Sequence, residues 1–264
     1  MDLSQSVNVL VPRTGENVAE NLRNMILRGE LKDGDMLPRQ QDLLELFRVS
    51  HPSLREGLRI LEAEGLIVIR RGKHGGAVIR APRASGVAYH LGLVLQTEKV
   101  KVADLAAALE ELEPVCYGLA AAAPGSSSTL VPLLRKACDR LEELIDSDGE
   151  TYQSISREFH WLIVDNCGNK TMQVVMGALA RLWTIHEDAE GRRTGYPAHP
   201  TIAERLGVLE LHRRITELID KHDVVACVEL AKRHLSDNRR YLYWQDKENG
   251  VDVSRMPFTE RNPG

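Results

Sequence analysis

The chain has 264 residues, of which 43% are hydrophobic, and its 34 Lys and Arg against 38 Asp and Glu give a net charge of −4. This size and composition suit one or two globular domains with a sizeable core. The chain contains no run of about 18 apolar residues that would predict a membrane span. The N-terminus also lacks the basic and apolar regions of a signal peptide, so we expect a cytoplasmic protein that does not enter a membrane.

The four cysteines are widely spaced along the chain, which argues against a disulfide framework and against a thiolate zinc site. The charge is unevenly distributed. Residues 1–80 carry 12 Lys and Arg against 11 Asp and Glu, and the remaining residues carry 22 against 27. Net charge therefore cannot draw the whole chain to a polyanion, and only a local basic surface can bring it to a nucleic acid.

The first 80 residues predict three short helices followed by a β-hairpin. After about Thr14, apolar residues recur at helical spacing as far as Gly29, and a second short helix begins near Pro38. A third helix has Ser50 as its N-cap residue and ends at Gly65. The β-rich runs LIVIR and AVIR flank the segment RGKHGG, whose glycines permit a tight turn, so the pair predicts a hairpin.

The third predicted helix has an apolar side and a polar side. Its apolar stripe consists of Leu54, Leu58 and Leu61. On the outward side His51, Arg55 and Arg59 follow one another about 40° apart, where they can reach phosphates and purine edges. Taken by themselves, two arginines four residues apart indicate no more than a basic helix face exposed to solvent. The full order of three helices and a basic hairpin is instead typical of a winged helix-turn-helix, whose third helix enters the major groove.

The segment from LKDGDMLP to RRGKHGG resembles the DNA-binding domain of the GntR family of bacterial transcription regulators, over nearly all of residues 15–80. The basic stripe and the resemblance together indicate which residues contact DNA. These are Arg39, Gln41, His51, Ser53, Arg55, Arg59, Arg71, Gly72 and Lys73. Many relatives have arginine at the positions of Gln41 and His51, so we expect neither the operator sequence nor the salt dependence of a relative to apply. Arg39 and Arg48 are expected to offset part of the lost charge.

Residues 81–86, APRASG, have the composition of a linker, and the chain beyond them predicts only helices. The helical patterns lie near 87–97, 101–122, 129–147, 150–167, 170–189, 201–220 and 223–246. Residues 1–14 and the polar tail over 247–264 are expected to be flexible. The sequence thus predicts a mainly α protein, with a winged helix-turn-helix domain over 15–80 and an all-α helical bundle over 87–246.

Three histidines lie on helix faces that are otherwise apolar: His160, His212 and His234. A single histidine in such a place is more often a hydrogen-bonded core residue. Three that converge from separate helices would offer neutral imidazoles to a divalent metal and leave positions open for water or a ligand. Spacing alone does not decide whether they converge.

The stretches EFHWLIVDNCGN, ELHRRITELIDKHD and ELAKRHL are similar to the FCD ligand-binding domain of the FadR subgroup of GntR regulators, over roughly residues 87–245. Many members of that subgroup hold a metal through a D-x-x-x-H motif and two further histidines. The histidines match His160, His212 and His234, whereas Ser156 stands where the aspartate would be. The resemblance implies a divalent metal, with zinc favoured over nickel or another divalent ion. A metal-free pocket lined by the histidines is the rival interpretation.

The sequence also departs from the family where an effector carboxylate would bind. Many relatives carry an arginine four residues before the glutamate that matches Glu113, and this chain has Leu109 there. Without that clamp we expect a more apolar effector with at most one carboxylate, such as an acyl compound. The predicted effector-pocket residues are Ser156, Leu109 and Glu113. Three aromatic residues are further candidates for the pocket: Tyr117, Trp161 and Trp183.

The resemblance implies a ligand-responsive bacterial transcription regulator. We expect a homodimer that represses by binding a palindromic operator in double-stranded DNA, and that a small organic effector releases. Two other interpretations stay open at this point: an all-helical, metal-dependent hydrolase, and a sensor in which the metal ion itself is the effector. We do not expect an enzyme, because no carboxylate base is evident near His160 and a hydrolase leaves the N-terminal unit unexplained.

Overall fold

The computed structural model describes residues 14–70, 72, 75–82, 84–194, 200–243, 249–254 and 256. These residues are mainly helical with one two-stranded sheet, and the chain divides into two compact units between residues 83 and 84. None of the helices in these ranges is long and apolar enough to cross a membrane.

The N-terminal unit consists of three helices and a β-hairpin, in the predicted order. Its elements are α1 (Thr14–Leu27), α2 (Gln40–Phe47), α3 (His51–Ala63), β1 (Ile67–Arg70) and β2 (Gly76–Ile79). The strands are antiparallel, with Ile67 opposite Ile79 and Arg70 opposite Gly76. The helices and the hairpin enclose one hydrophobic core between them.

Helix α3 begins at the predicted N-cap. The Ser50 side chain accepts a hydrogen bond from the backbone N–H of Ser53 at 3.4 Å, and Arg48 adopts a left-handed conformation (φ 50°) that separates α2 from α3. Leu54 and Leu61 are completely buried, and Leu58 packs at the edge of the core. The inward face of α3 is therefore the predicted one.

Helices α1 and α3 pack closely because α3 has a glycine at the contact. A Cβ atom at Gly57 would lie 2.9 Å from the carbonyl oxygen of Gly15 and 2.9 Å from the Cβ of Val18. Any larger side chain would push the two helices apart.

The C-terminal unit is all-helical, and each predicted helical pattern forms a helix. The helices are α4 (Ala84–Thr97), α5 (Val102–Ala122), α6 (Ser126–Thr129), α7 (Val131–Glu143), α8 (Gly149–Asp165), α9 (Lys170–Thr194), α10 (Ile202–Asp220) and α11 (Val224–Tyr243). Helix α4 starts three residues inside the expected linker, because Ala84 packs against Gly177 of α9 and so belongs to the bundle.

Two hydrophobic clusters share helix α5. The first packs α5 with α7, α8, α10 and α11, and it contains Tyr117 and Phe159. The second packs α5 with α4, α9 and the end of α8, and it contains Leu109 and Cys116. Helix α5 thus presents one face to each cluster.

The expectation of a flexible tail over 247–264 is wrong for residues 249–254 and 256, which we call the C-terminal strap. Val251 donates its backbone N–H to the carbonyl of Val100 at 2.8 Å, and Val102 donates to Asn249 at 2.9 Å. A Cβ atom at Gly92 would overlap the side chain of Val253, so the glycine makes room for the strap on α4. The polar composition of this segment concealed three apolar residues that become buried: Val251, Val253 and Met256.

Candidate functional site

The outward face of α3 carries the residues predicted to contact DNA. His51, Arg55 and Arg59 are exposed, and Ser53 is half-buried beside the N-cap. Within the described ranges, neither arginine forms an ion pair or hydrogen bond with another residue. Both guanidinium groups are therefore available to phosphates or base edges. Glu62 falls on the same stripe of the helix, so the positive surface ends at the C-terminal part of α3.

The other predicted DNA contacts lie at the start of α2 and in the hairpin. Arg39 and Gln41 are exposed at the first turn of α2. Gly72 has a φ of 114°, which favours glycine, and its carbonyl accepts a hydrogen bond from Gly75 at 2.9 Å, so the chain turns tightly here. Arg71 and Lys73 lie outside the described residues.

The three histidines singled out in the sequence converge. His160 on α8, His212 on α10 and His234 on α11 each offer one ring nitrogen, and these nitrogens lie within 4.8 Å of one another. The Nε2 atoms of His212 and His234 are 3.0 Å apart. His212 and His234 are buried, whereas His160 keeps 15% of its side chain exposed. The histidine cluster is thus accessible from the side of His160.

Helix α5 supplies two further groups to this cluster. The Nδ1 atom of His160 lies 2.7 Å from the Tyr117 hydroxyl oxygen and 3.1 Å from Oε1 of Glu113. When Nδ1 carries the proton, it can donate to the Glu113 carboxylate, which orients the ring and leaves the Nε2 lone pair for another ligand. Carboxylate partners of this kind support histidine ligands in many metal sites.

Burial and ring packing prepare His212 to act as a neutral donor. Its ring stacks on Phe159, with centroids 3.9 Å apart and planes 4° from parallel. Burial, with smaller contributions from His234 and His160, lowers the pKa of His212 well below its ordinary value of 6.5. The imidazole is therefore neutral at pH 7. Its Nδ1 atom is buried without a hydrogen-bond partner in the described part of the chain.

The structure separates the three predicted effector-pocket residues. Glu113 lies against His160, as described above. Ser156 is half-buried on α8, one turn before His160, next to Tyr152. Leu109 is buried in the second hydrophobic cluster, away from the cluster that contains Tyr117.

The candidate pocket aromatics separate in the same way. Tyr117 contacts His160. Trp161 is 42% exposed, and Trp183 packs at the edge of the second cluster. Sequence reasoning did not foresee the contact of Glu113 and Tyr117 with His160. The available signal was their spacing of four residues, which places both side chains on one face of α5.

A winged helix-turn-helix with an unpaired basic face, joined to a helical unit with a buried polar cluster, defines a DNA-binding regulator with a sensor domain. Residues 14–76 match the family described as bacterial regulatory proteins, gntR family, and residues 104–237 match the FCD domain. The chain belongs to the GntR family of bacterial transcription regulators and carries an FCD domain. It is a ligand-responsive transcription regulator rather than an enzyme, so the hydrolase interpretation is set aside.

Known relatives are similar over most of their length. The HTH-type transcriptional regulator LutR of Bacillus subtilis (strain 168) is 30% identical over 227 residues, covering 85% of this chain and 99% of the relative. The HTH-type transcriptional repressor NanR of Escherichia coli (strain K12) is 27% identical over 236 residues, covering 85% of this chain and 78% of the relative. The solved structure of Streptococcus agalactiae GntR shares the fold, with a TM-score of 0.66, 23% identity, and coverage of 86% of this chain and 99% of that one.

Proposed function

We propose that this regulator is a homodimeric repressor that holds a divalent metal at His160, His212 and His234. A small organic effector binds beside the metal and releases the operator. The observation that carries this proposal is the convergence of three ring nitrogens within 4.8 Å, with Glu113 placed behind one of them. Sequence similarity alone supports a sensor domain, and the convergence of donors supports a metal in it.

The donor set fits zinc. Two nitrogens bound to one tetrahedral zinc at about 2.05 Å lie roughly 3.3 Å apart. The 3.0 Å between the Nε2 atoms of His212 and His234 is close to that separation. Three neutral imidazoles leave a coordination position for water or for an oxygen of the effector. Nickel or another divalent ion is the alternative occupant, since imidazole binds these ions as well.

Replacement of the family aspartate by Ser156 changes the charge of the site. A bound divalent ion keeps its full charge here, apart from the influence of the Glu113 carboxylate behind His160. An anionic or strongly polar oxygen of the effector is therefore attracted to the open position. Because Leu109 replaces the family arginine, that position offers no clamp for a carboxylate, and the effector is more apolar with at most one carboxylate.

DNA binding is assigned to the outward face of α3, the first turn of α2 and the hairpin tip. As a homodimer the protein would place two α3 helices in successive major grooves, about 34 Å apart along a palindromic operator. Repression is supported by the name of NanR, which is a repressor. Because effector and operator bind to the same protein, each must change the affinity of the protein for the other by the same factor.

The proposal is tested by selecting an operator from random duplexes and then measuring binding by fluorescence anisotropy. We expect retention of the operator with zinc present and release on addition of an effector found by screening small organic acids and acyl compounds. Release by zinc or nickel alone would favour the metal-sensor interpretation instead. Light scattering should give a mass about twice the 29.5 kDa of one chain, and a monomer that still binds the operator would refute the dimer.

A further inference from the structure

A second buried polar group lies beyond the histidine cluster on the same pair of helices. Tyr152 of α8 is 4% exposed and Arg205 of α10 is 7% exposed, and the guanidinium carbon lies 4.5 Å from the centre of the tyrosine ring. In the described part of the chain the Tyr152 hydroxyl is buried without a partner in good hydrogen-bond geometry, and burial raises its pKa more than the neighbouring Ser156 hydroxyl lowers it. A buried hydroxyl without a partner is costly, so such a group often receives a ligand or a water.

Among the residues that the structure describes, no acid neutralises the buried charge of Arg205. Its Nη1 atom donates to the carbonyl oxygens of Ile145 at 2.8 Å and Ser147 at 2.7 Å, and Nε donates to Pro200 at 3.1 Å. No carboxylate in the described ranges lies within ion-pair distance of this guanidinium. The Nη2 atom is not engaged in these bonds, so it remains for an added acceptor. Neutral carbonyls do not balance a buried cation, and an anion would.

The neighbouring acid is engaged elsewhere. Glu204 accepts the backbone N–H of Thr201 at 2.6 Å in the capping box that begins α10. A cation in the first turn of a helix also lies at the end where the helix dipole is positive. The surroundings of Arg205 therefore favour an anion.

The Tyr152–Arg205 pair and the histidine cluster lie on the same two helices, at a fixed distance along them. Helices α8 and α10 touch at this pair and again where Phe159 stacks on His212. The two contacts are seven residues apart on both helices, so the helices run parallel and the contacts are about 10.5 Å apart along them. Between them, Ser156 occupies the same stripe of α8 as Tyr152 and His160.

We propose that Tyr152, Ser156 and Arg205 form a second subsite of the effector pocket, which binds a carboxylate or another anionic oxygen group. This inference rests on the proposed function, because it takes the histidine cluster as the place where the other end of the effector binds. The effector is then an elongated molecule with a coordinating oxygen at one end and an anionic group about 10 Å away. Burial raises the pKa of Tyr152 to about 12 despite the charge of Arg205, so its hydroxyl is a neutral donor at pH 7.

Two dicarboxylates of different length test the subsite. Succinate is too short to reach from the histidine cluster to Arg205, whereas suberate can span most of that distance. By calorimetry on the zinc-loaded protein, we expect suberate to bind at least about tenfold more tightly than succinate. Tyr152→Phe should remove that advantage and leave the affinity for succinate unchanged.

The melting temperature of the same variant separates a binding role of the hydroxyl from a structural one. Because Tyr152→Phe removes a buried hydroxyl that lacks a partner, the melting temperature of the ligand-free variant should equal or exceed that of the wild type. A lower melting temperature would show that the hydroxyl has a structural partner, and would overturn the proposal. Equal suberate affinity in the two proteins, or no suberate binding to the wild type, would also overturn it.

Failure of the subsite can be told apart from failure of the proposed function. Zinc content decides the histidine site, whatever the dicarboxylates do. Treatment with chelator should lower the affinity of the wild type for suberate. The affinity of chelator-treated Tyr152→Phe should be lower still. If the wild type binds zinc and both dicarboxylates bind equally well, the metal site stands and the subsite is refuted.

Discussion

His212 shows how burial prepares a side chain for its chemistry. The ring has no exposed surface, and its pKa lies well below 6.5 because the charged form cannot be solvated there. In the unfolded chain the same histidine titrates near 6.5. Between the folded-state pKa of His212 and pH 6.5, the unfolded chain therefore binds a proton at this histidine and the folded protein does not.

This difference makes the stability of the metal-free protein depend on pH. Above about pH 6.5 both states are neutral at His212, and the contribution is constant; below it, stability falls with a slope approaching about 1.4 kcal/mol per pH unit. We expect urea unfolding of the chelated wild type from about pH 7 to pH 5 to show this loss. In His212→Gln the slope should be smaller, and an identical slope would contradict the assignment.

Arg55 is the single residue on which operator binding should depend most. It is exposed at the centre of the outward face of α3, without an ion-pair partner in the described part of the chain. Arg55→Ala should reduce operator affinity roughly 10- to 100-fold, the range expected for one bidentate base contact. Arg28→Ala is the matched control, since Arg28 is exposed at the end of α1 and off this face. Wild-type affinity of the Arg55 variant in an anisotropy titration would exclude the contact.

Among the elements, the C-terminal strap is the one whose role the sequence conceals. Val253 is buried beside Gly92 of α4 and shares a hydrophobic cluster with Leu182 of α9, so the strap contributes to the packing of these two helices. Val253→Ala should lower the free energy of unfolding by about 2 kcal/mol, because it removes two buried methyl groups.

A valine on the same unit provides the control for the strap. Val225 on α11 is 71% exposed, so Val225→Ala should change the free energy of unfolding by no more than about 0.5 kcal/mol. Thermal or urea unfolding of both variants measures the difference. Equal stability of the two variants would mean that the strap contributes nothing to the unit.

The helices and the hairpin could be predicted because residues within each element mark where it begins or turns. Ser50 caps α3, and the glycines of the wing permit its turn. The pairing of Glu113 with His160 joins residues 47 positions apart, so it depends on how α5 and α8 pack and leaves no local pattern. Arg205 did have a local signal, since it shares a buried stripe of α10 with His212, where a charged residue is unexpected.

At the scale of the whole molecule, the proposed regulator combines a basic DNA-binding face on α3 with a metal-dependent sensor unit. The chain as a whole has a net charge of −4. The acidic balance of the C-terminal part keeps non-specific attraction to DNA low, so binding depends on the few cations of the N-terminal unit. The logarithm of operator affinity should therefore fall with the logarithm of the salt concentration, with a slope proportional to the number of phosphates that these cations contact.

The most direct test of the central claim is the metal content of protein purified without chelator and then dialysed against zinc. We predict about one zinc ion per chain by elemental analysis, and its loss in His212→Ala with helical content retained by circular dichroism. His222→Ala is the control, since His222 is exposed and lies outside the three-histidine group. Absence of stoichiometric metal from the wild type, or unchanged metal in His212→Ala, would contradict the account.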